Sequence, residues 1–392
     1  MRVQTKTTIL LLCSILFSVL LTVCCDRLVG YFRFHGRDQN GLLFSPNSRV
    51  ILRSPEFDSF AVVNSLGFRD REFSLQRNEN YRIVAIGDSF TFGFGVNIED
   101  TWVKQLEARL RQMGHKVEIA NLGRVGSSPK DYADVAEKAI PLLKPDLVLV
   151  SVLQGDDLSQ GRAEAMGLNK ESGGVRLVIS RIVRVLYPNL MALVRPLLTT
   201  PESSVEWKRQ TTEMLRKTDD AGRAKVDSLD ATVRSLYLEG NLNPGLLDLA
   251  IRVPDYWSAT MDLGSPYTGS LISVMGKHLS RIKQAAEPYG TRVMVVAVPY
   301  RSYVNRSDLD QVKRLGFIVR EDMLTGTAPD DAIRLACGKA GLPFYSVTDG
   351  FRREVKGRHL FFDFDGHFNR EGNVLFFELL LPLIVANALA GH

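Results

Sequence analysis

Residues 82–93 run Arg82-Ile83-Val84-Ala85-Ile86-Gly87-Asp88-Ser89-Phe90-Thr91-Phe92-Gly93. The run 82–86 is short and apolar and stops at a glycine, which predicts a buried strand that ends where the chain turns. The carboxyl end of such a strand is where open α/β folds bind ligands. Ser89 is placed there. A serine hydroxyl is a poor nucleophile unless a base takes its proton and donors await the developing oxyanion. Its chemistry therefore depends on partners elsewhere in the chain.

Outward from this run the chain alternates. Residues 101–113 carry Trp102, Leu106 and Leu110 at helical spacing. Residues 116–120 read as a second strand, 131–143 as a second helix stopped by Pro145, and 147–153 as an unbroken apolar strand. Residues 292–298 and 343–347 repeat the strand signal, each after a helical stretch. Strands alternating with helices predict a parallel sheet covered on both faces. The fold class is therefore α/β: a three-layer α/β/α sandwich with five parallel strands in the flavodoxin-like order 2-1-3-4-5. This domain is read over 79–160 and 268–392. Residues 29–78 read as a short β-rich lead-in, with runs at 50–52 and 60–63 separated by Ser54-Pro55. Residues 161–267 read as a mainly helical insertion or cap, since a structureless loop of that length is improbable.

Composition narrows the function class. The chain of 392 residues is 45% apolar and 24% charged, as in an ordinary globular protein, with a net charge of only +5. No stripe of Lys and Arg interleaves with aromatics, which argues against nucleic-acid binding. Cys337 stands alone outside the N-terminal run that holds Cys13, Cys24 and Cys25, so no disulfide framework exists there. No zinc-type spacing, P-loop, dinucleotide fingerprint or Gly-x-Ser-x-Gly occurs, so no metal and no cofactor is predicted. Residues 7–25 carry no charge and suit one membrane-spanning helix. A cleaved signal peptide is the rival, but no A-x-A-like site ends the run, and Val23 before Cys24 disfavours a lipoprotein. The N-terminal anchor is read over 1–28. Arg2 and Lys6 favour a cytoplasmic N-terminus, although Arg27, Arg33 and Arg37 weaken that bias. The main domain is then extracytoplasmic, periplasmic or on the cell surface.

Three further stations accompany Ser89. Asn121-Leu122-Gly123-Arg124-Val125-Gly126-Ser127-Ser128 follows the second strand, and Gln154-Gly155-Asp156-Asp157 follows the third. Near the C-terminus stands Asp363-Phe364-Asp365-Gly366-His367-Phe368-Asn369. A His two residues beyond an Asp can accept the serine proton while the carboxylate holds its tautomer. Each station alone reads as an ordinary turn. Four in this order, three of them at strand ends, are harder to explain without shared chemistry.

Gly87-Asp88-Ser89 resembles block I of the SGNH (GDSL-type) superfamily of esterases, lipases and acyltransferases. Residues 121–126 look like its block II, whose glycine gives an oxyanion N–H at the position of Gly126. Residues 154–157 sit where block III is expected, and residues 363–369 are similar to the block that supplies acid and base. The lead-in 64–70 also looks like that of an envelope-associated, membrane-anchored subgroup. The resemblance implies Ser89 as nucleophile, His367 as base and Asp365 as orienting acid, with Asp363 close enough to compete. It implies an oxyanion hole from Ser89, Gly126 and residue 156, with Asp88, Gln154, Asp157 and Asn369 in support. One departure stands out: block III normally provides an asparagine, and here the residue is Asp156. An ionised carboxylate cannot donate, so Asp156 is protonated, or Gln154 supplies the amide, or the site is a relic. Three readings follow: an ester hydrolase acting on acyl esters of small molecules or of envelope or extracellular polysaccharide, an O-acyltransferase onto saccharide hydroxyls, and a non-catalytic carbohydrate-binding protein. The oligomeric state is left open. Arg176, Arg181 and Arg184 share one arc of a predicted helix, which reads as a cap helix before a membrane-surface one. His278 reads as structural.

Overall fold

Strand β1 (Arg49–Ser54) pairs antiparallel with β2 (Phe57–Val62) in a hairpin. Strands β3 (Tyr81–Gly87), β4 (Val117–Gly123), β5 (Leu147–Leu153), β6 (Arg292–Val298) and β7 (Phe344–Ser346) form one parallel sheet in the order β4-β3-β5-β6-β7. Counted within the sheet, that is the predicted 2-1-3-4-5. In this computed structural model the described residues are 2–34, 42–166, 186, 187, 190 and 204–390.

Every residue of β3, β4 and β5 is buried. That is why these runs are largely apolar without alternation, Arg82, Glu118 and Asn121 among the exceptions: both faces are covered. Ile83, Ala85, Ile119, Leu147 and Leu149 pack in one layer with side chains of the helices Trp102–Gln112 and Arg370–Ala388. Their neighbours Val84, Ile86, Ala120, Leu122, Val148 and Val150 pack in the other with Pro129–Leu143, Pro266–Ala286 and Ala328–Ala340. The architecture is thus the three-layer α/β/α sandwich. Charge inside it is paired: Arg82 of β3 meets Glu118 of β4 at 2.7 Å and also donates to the carbonyl of Leu143. The helix Pro129–Leu143 begins two residues before its predicted start. Ser128 and Asp131 close a capping box, and Pro129 suits the first helical position, where its missing N–H costs nothing.

The lead-in differs from its predicted extent. Residues 30–34 belong to a helix, Arg2–Phe34, which runs beyond the predicted anchor, and the β structure is confined to the hairpin. Chain packing divides the protein into two units. One is Met1–Gln39 with Asn169–Pro201, the other Asn40–Leu168 with Glu202–His392. In the first, the Leu190 N–H donates to Asp26 Oδ1 at 2.7 Å. The helices Ser204–Lys217, Asp220–Asp227, Ala231–Glu239 and Pro244–Arg252 belong to the second unit. The stretch read as one insertion is therefore shared between the two. Arg176, Arg181 and Arg184 lie outside the described residues. His278 is buried, with Nε2 2.8 Å from Glu164. The helix Arg370–Ala388 is also long and apolar enough to cross a bilayer. Leu375, Phe376, Leu380 and Ile384 bury its apolar side in the core, as a helix covering a sheet requires.

Candidate active site

Three loops at the carboxyl ends of β3, β4 and β5 carry the first three stations, and the fourth lies beyond the helix Thr348–Glu354. β3 ends at Gly87, Asp88 caps the short helix Ser89–Phe92, and its carboxylate accepts the Phe90 N–H at 2.9 Å. This turn packs closely on the end of β4. A Cβ at position 123 would collide with the backbone of Phe92, so only glycine fits there. Asn121 ties the same two elements: its Nδ2 donates to the carbonyl of Thr91 at 2.9 Å, and its Oδ1 accepts the Gly123 N–H at 3.0 Å.

The lead-in braces the serine turn from outside. Arg69 is fully buried and donates to the carbonyls of Phe92, Gly93 and Val96 at 2.7–2.8 Å. Asp70 accepts the Asn121 N–H at 2.9 Å and pairs with Lys104 at 2.7 Å. The motif 64–70 is thus a fastening for the loops that follow β3 and β4.

The C-terminal station closes on Ser89. Its Oγ lies 2.6 Å from His367 Nε2, and His367 Nδ1 lies 2.5 Å from Asp365 Oδ1. Phe90 and Phe94 flank the imidazole at 4.9 and 4.8 Å between ring centroids. Two aromatic faces and a carboxylate leave the ring little rotational freedom. Gly366 makes the loop possible: it has φ +83°, left-handed backbone that favours glycine, and it sits between Asp365 and His367. Burial disfavours charge on His367. The Asp365 carboxylate outweighs this, with smaller contributions from Asp88 and Asp156, and the imidazole is held above its ordinary pKa.

Asp363 is not a partner of His367. Its carboxylate takes His359 Nε2 at 2.9 Å, and its carbonyl accepts from Arg301 at 2.6 Å. Asp365 alone of the two reaches the imidazole. Gln154 is also placed differently from its expected role. Its amide donates to Asp330 at 2.7 Å and Thr348 at 2.8 Å, so those hydrogens are committed to the floor under β7 and cannot serve an oxyanion. Asn369 caps the helix Arg370–Ala388 and donates to the carbonyl of His359. Gly126 has φ +69° in the loop after β4, with open space where a side chain would stand.

The third station brings carboxyls together. One oxygen from each of Asp88, Asp156 and Asp157 lies within 4.8 Å of the others, and among the described residues this is the set able to hold a cation. Protein donors already fill much of that space. Tyr132 OH donates to Asp157 at 2.9 Å, as does the Leu153 N–H at 2.8 Å. Tyr256 OH donates to Asp156 at 2.7 Å, and Gln160 Nε2 at 2.5 Å. Three carboxylates this close do not all ionise at neutral pH. Burial, then Asp156, pushes Asp88 up to about 7. Burial, then Asp88, holds Asp157 well above the carboxylate range. Burial raises Asp156 as well, and the bonds from Tyr256 and Gln160 offset it only in part.

Sequence reading missed Tyr256, Arg69, Arg301 and Glu56. Arg69 stands in the quoted 64–70 motif, so a signal was present. Tyr256 and Glu56 carry none, because their contacts are made by segments about 100 and 309 positions away.

No family model and no curated protein matches the chain. Solved structures do. The crystal structure of TesA is similar over 77% of this chain and 97% of its own, at 11% identity and a TM-score of 0.38. An acetyl xylan esterase, AlAXEase, is similar over 77% and 99%, at 13% identity and a TM-score of 0.36. A member of the lipolytic protein G-D-S-L family from Veillonella parvula is similar over 78% and 98%, at 12% identity and a TM-score of 0.36. Likenesses of this size leave the chemistry of the site to be argued from its own residues.

Proposed function

We propose that this protein is a serine-dependent ester hydrolase of the SGNH type. The observation that carries the reading is the unbroken chain from Ser89 Oγ through His367 to Asp365, at 2.6 and 2.5 Å, between residues 278 positions apart. Ser89 Oγ attacks the ester carbonyl while His367 Nε2 takes its proton. Asp365 fixes the ring so that Nε2 faces the hydroxyl and stabilises the imidazolium that forms. The oxyanion meets the N–H groups of Ser89 and Gly126 and the carboxyl of Asp156 in its neutral form. His367 then returns the proton to the departing alkoxide, and a water activated by the same imidazole releases the acid. The raised pKa of Asp156 supports its place as a neutral donor, and the intact relay speaks against a relic.

Acyl esters of small molecules or saccharides are the substrate class, following the family resemblance. Residues 7–25, inside the helix Arg2–Phe34, serve as the membrane anchor; Leu10, Leu16, Phe17, Leu20 and Leu21 are exposed along it, as a lipid-facing helix requires. The test is hydrolysis of short-chain acyl esters by the full chain beside Ser89→Ala. The variant is expected to lose turnover to background. Unchanged turnover in the variant would remove Ser89 as the nucleophile.

A further inference from the structure

The acid and base sit on a loop, residues 362–368, that needs its own fastening. Its backbone is gripped from two sides. On one side the fully buried Arg301 donates through Nη1 to the carbonyls of Phe362 and Asp363, at 3.0 and 2.6 Å. On the other stands Glu56, at the two-residue turn of the β1–β2 hairpin, between the paired Ser54 and Phe57. Glu56 Oε2 accepts the Asp365 N–H at 2.8 Å and the Phe364 N–H at 3.2 Å, and Oε1 accepts the Phe364 N–H at 3.2 Å. A cation holds the loop's carbonyls and an anion holds its amides, so the peptide planes between them are fixed in one orientation. Hydrogen bonds to charged groups are roughly twice as strong as neutral ones.

The hairpin reaches the serine side as well. The Phe57 ring lies 4.9 Å from Phe362 and 5.4 Å from Phe94, and Phe94 in turn flanks His367. The turn of one hairpin therefore touches both segments whose spacing sets the Ser89–His367 contact. We propose that Glu56 is a positioning residue. By holding the amides of Phe364 and Asp365 it aims the Asp365 carboxylate at His367 Nδ1 and sets that pair against Ser89. The inference rests on the hydrolase reading for its effect on turnover, but its geometric content stands apart from turnover.

The test uses the full chain as wild type, Glu56→Ala, Glu56→Gln and, to assign the signal, His367→Gln. The readout is the low-field proton resonance of His367 Nδ1–H bonded to Asp365, recorded beside thermal unfolding and ester kinetics. Glu56→Ala is expected to lose or broaden the resonance while the protein still unfolds cooperatively. In Glu56→Gln an amide oxygen still accepts the two N–H groups, and the resonance is expected to persist. A displacement of about 1 Å in a supporting group costs up to ~10²-fold in rate. Glu56→Ala is accordingly expected to lower kcat by about that factor with KM changed less than ~3-fold, and Glu56→Gln to recover most of it. A Glu56→Ala resonance identical to wild type overturns the proposal. So does a Glu56→Gln variant as impaired as Glu56→Ala. If the resonance follows Glu56 while wild type shows no Ser89-dependent turnover, the hydrolase reading fails and the positioning role stands.

Discussion

Replacing Asp156 by asparagine separates the two states its carboxyl can occupy. A neutral carboxyl donates to an oxyanion; an ionised one repels it. Burial raises the pKa of Asp156, and the donors Tyr256 at 2.7 Å and Gln160 at 2.5 Å pull it partly back. Asparagine fits the same place. Its oxygen accepts from one of those donors, and the Tyr256 hydroxyl can turn to accept from its amide. The structural cost is at most one hydrogen bond, about 1 kcal/mol. The catalytic effect depends on pH. Below the raised pKa both proteins present a donor, and kcat should agree within roughly threefold. As pH rises through that pKa, wild type loses its donor and gains a repelling charge, whereas the variant does not change. One oxyanion donor is worth about 10²–10³ in kcat, so Asp156→Asn should exceed wild type by up to that factor on the alkaline side. The assay is kcat for a short-chain acyl ester over about pH 5 to 9. A variant slower at every pH would show that the carboxylate does something an amide cannot. Equal rates at every pH would show that residue 156 does not meet the oxyanion.

Other expectations follow from the same contacts. Asp365→Asn should leave the fold intact but lower kcat by about 10⁴-fold, because His367 loses the partner that fixes its tautomer; ester kinetics beside circular dichroism checks both halves. Tyr256→Phe removes a bond that lowers the pKa of Asp156, so the alkaline fall in kcat should move to higher pH. Arg69→Leu strands three carbonyls, and at about 1 kcal/mol or more for each should cost roughly 3 kcal/mol in urea unfolding. Deleting residues 1–28 should release the protein from membranes, whereas the full chain should resist alkaline extraction.

The sheet was legible because buried parallel strands must be continuously apolar, and residues 82–86 and 147–153 have no other simple reading. Ser89 and His367 were legible as stations because strand ends and a Gly366 turn leave local marks. Partner choice was legible only in part. Asp365 and Asp363 stand two and four residues before His367; spacing favours Asp365 but leaves Asp363 in reach, and it is Arg301 and His359, arriving from elsewhere, that draw Asp363 aside. Gln154 looked like a spare amide until the fold brought Asp330 and Thr348 beneath it. Glu56 had no signal, since a turn glutamate reads as solvated until a loop 309 positions on presents its amides. Local physics marks where chemistry can occur, and tertiary closure decides which side chain performs it.

Peptide mapping by mass spectrometry after treatment with a fluorophosphonate tests the central claim most directly. One adduct is expected, on Ser89, with labelling abolished in His367→Gln. Absence of any adduct, or an adduct on a different residue that persists in Ser89→Ala, would contradict the account.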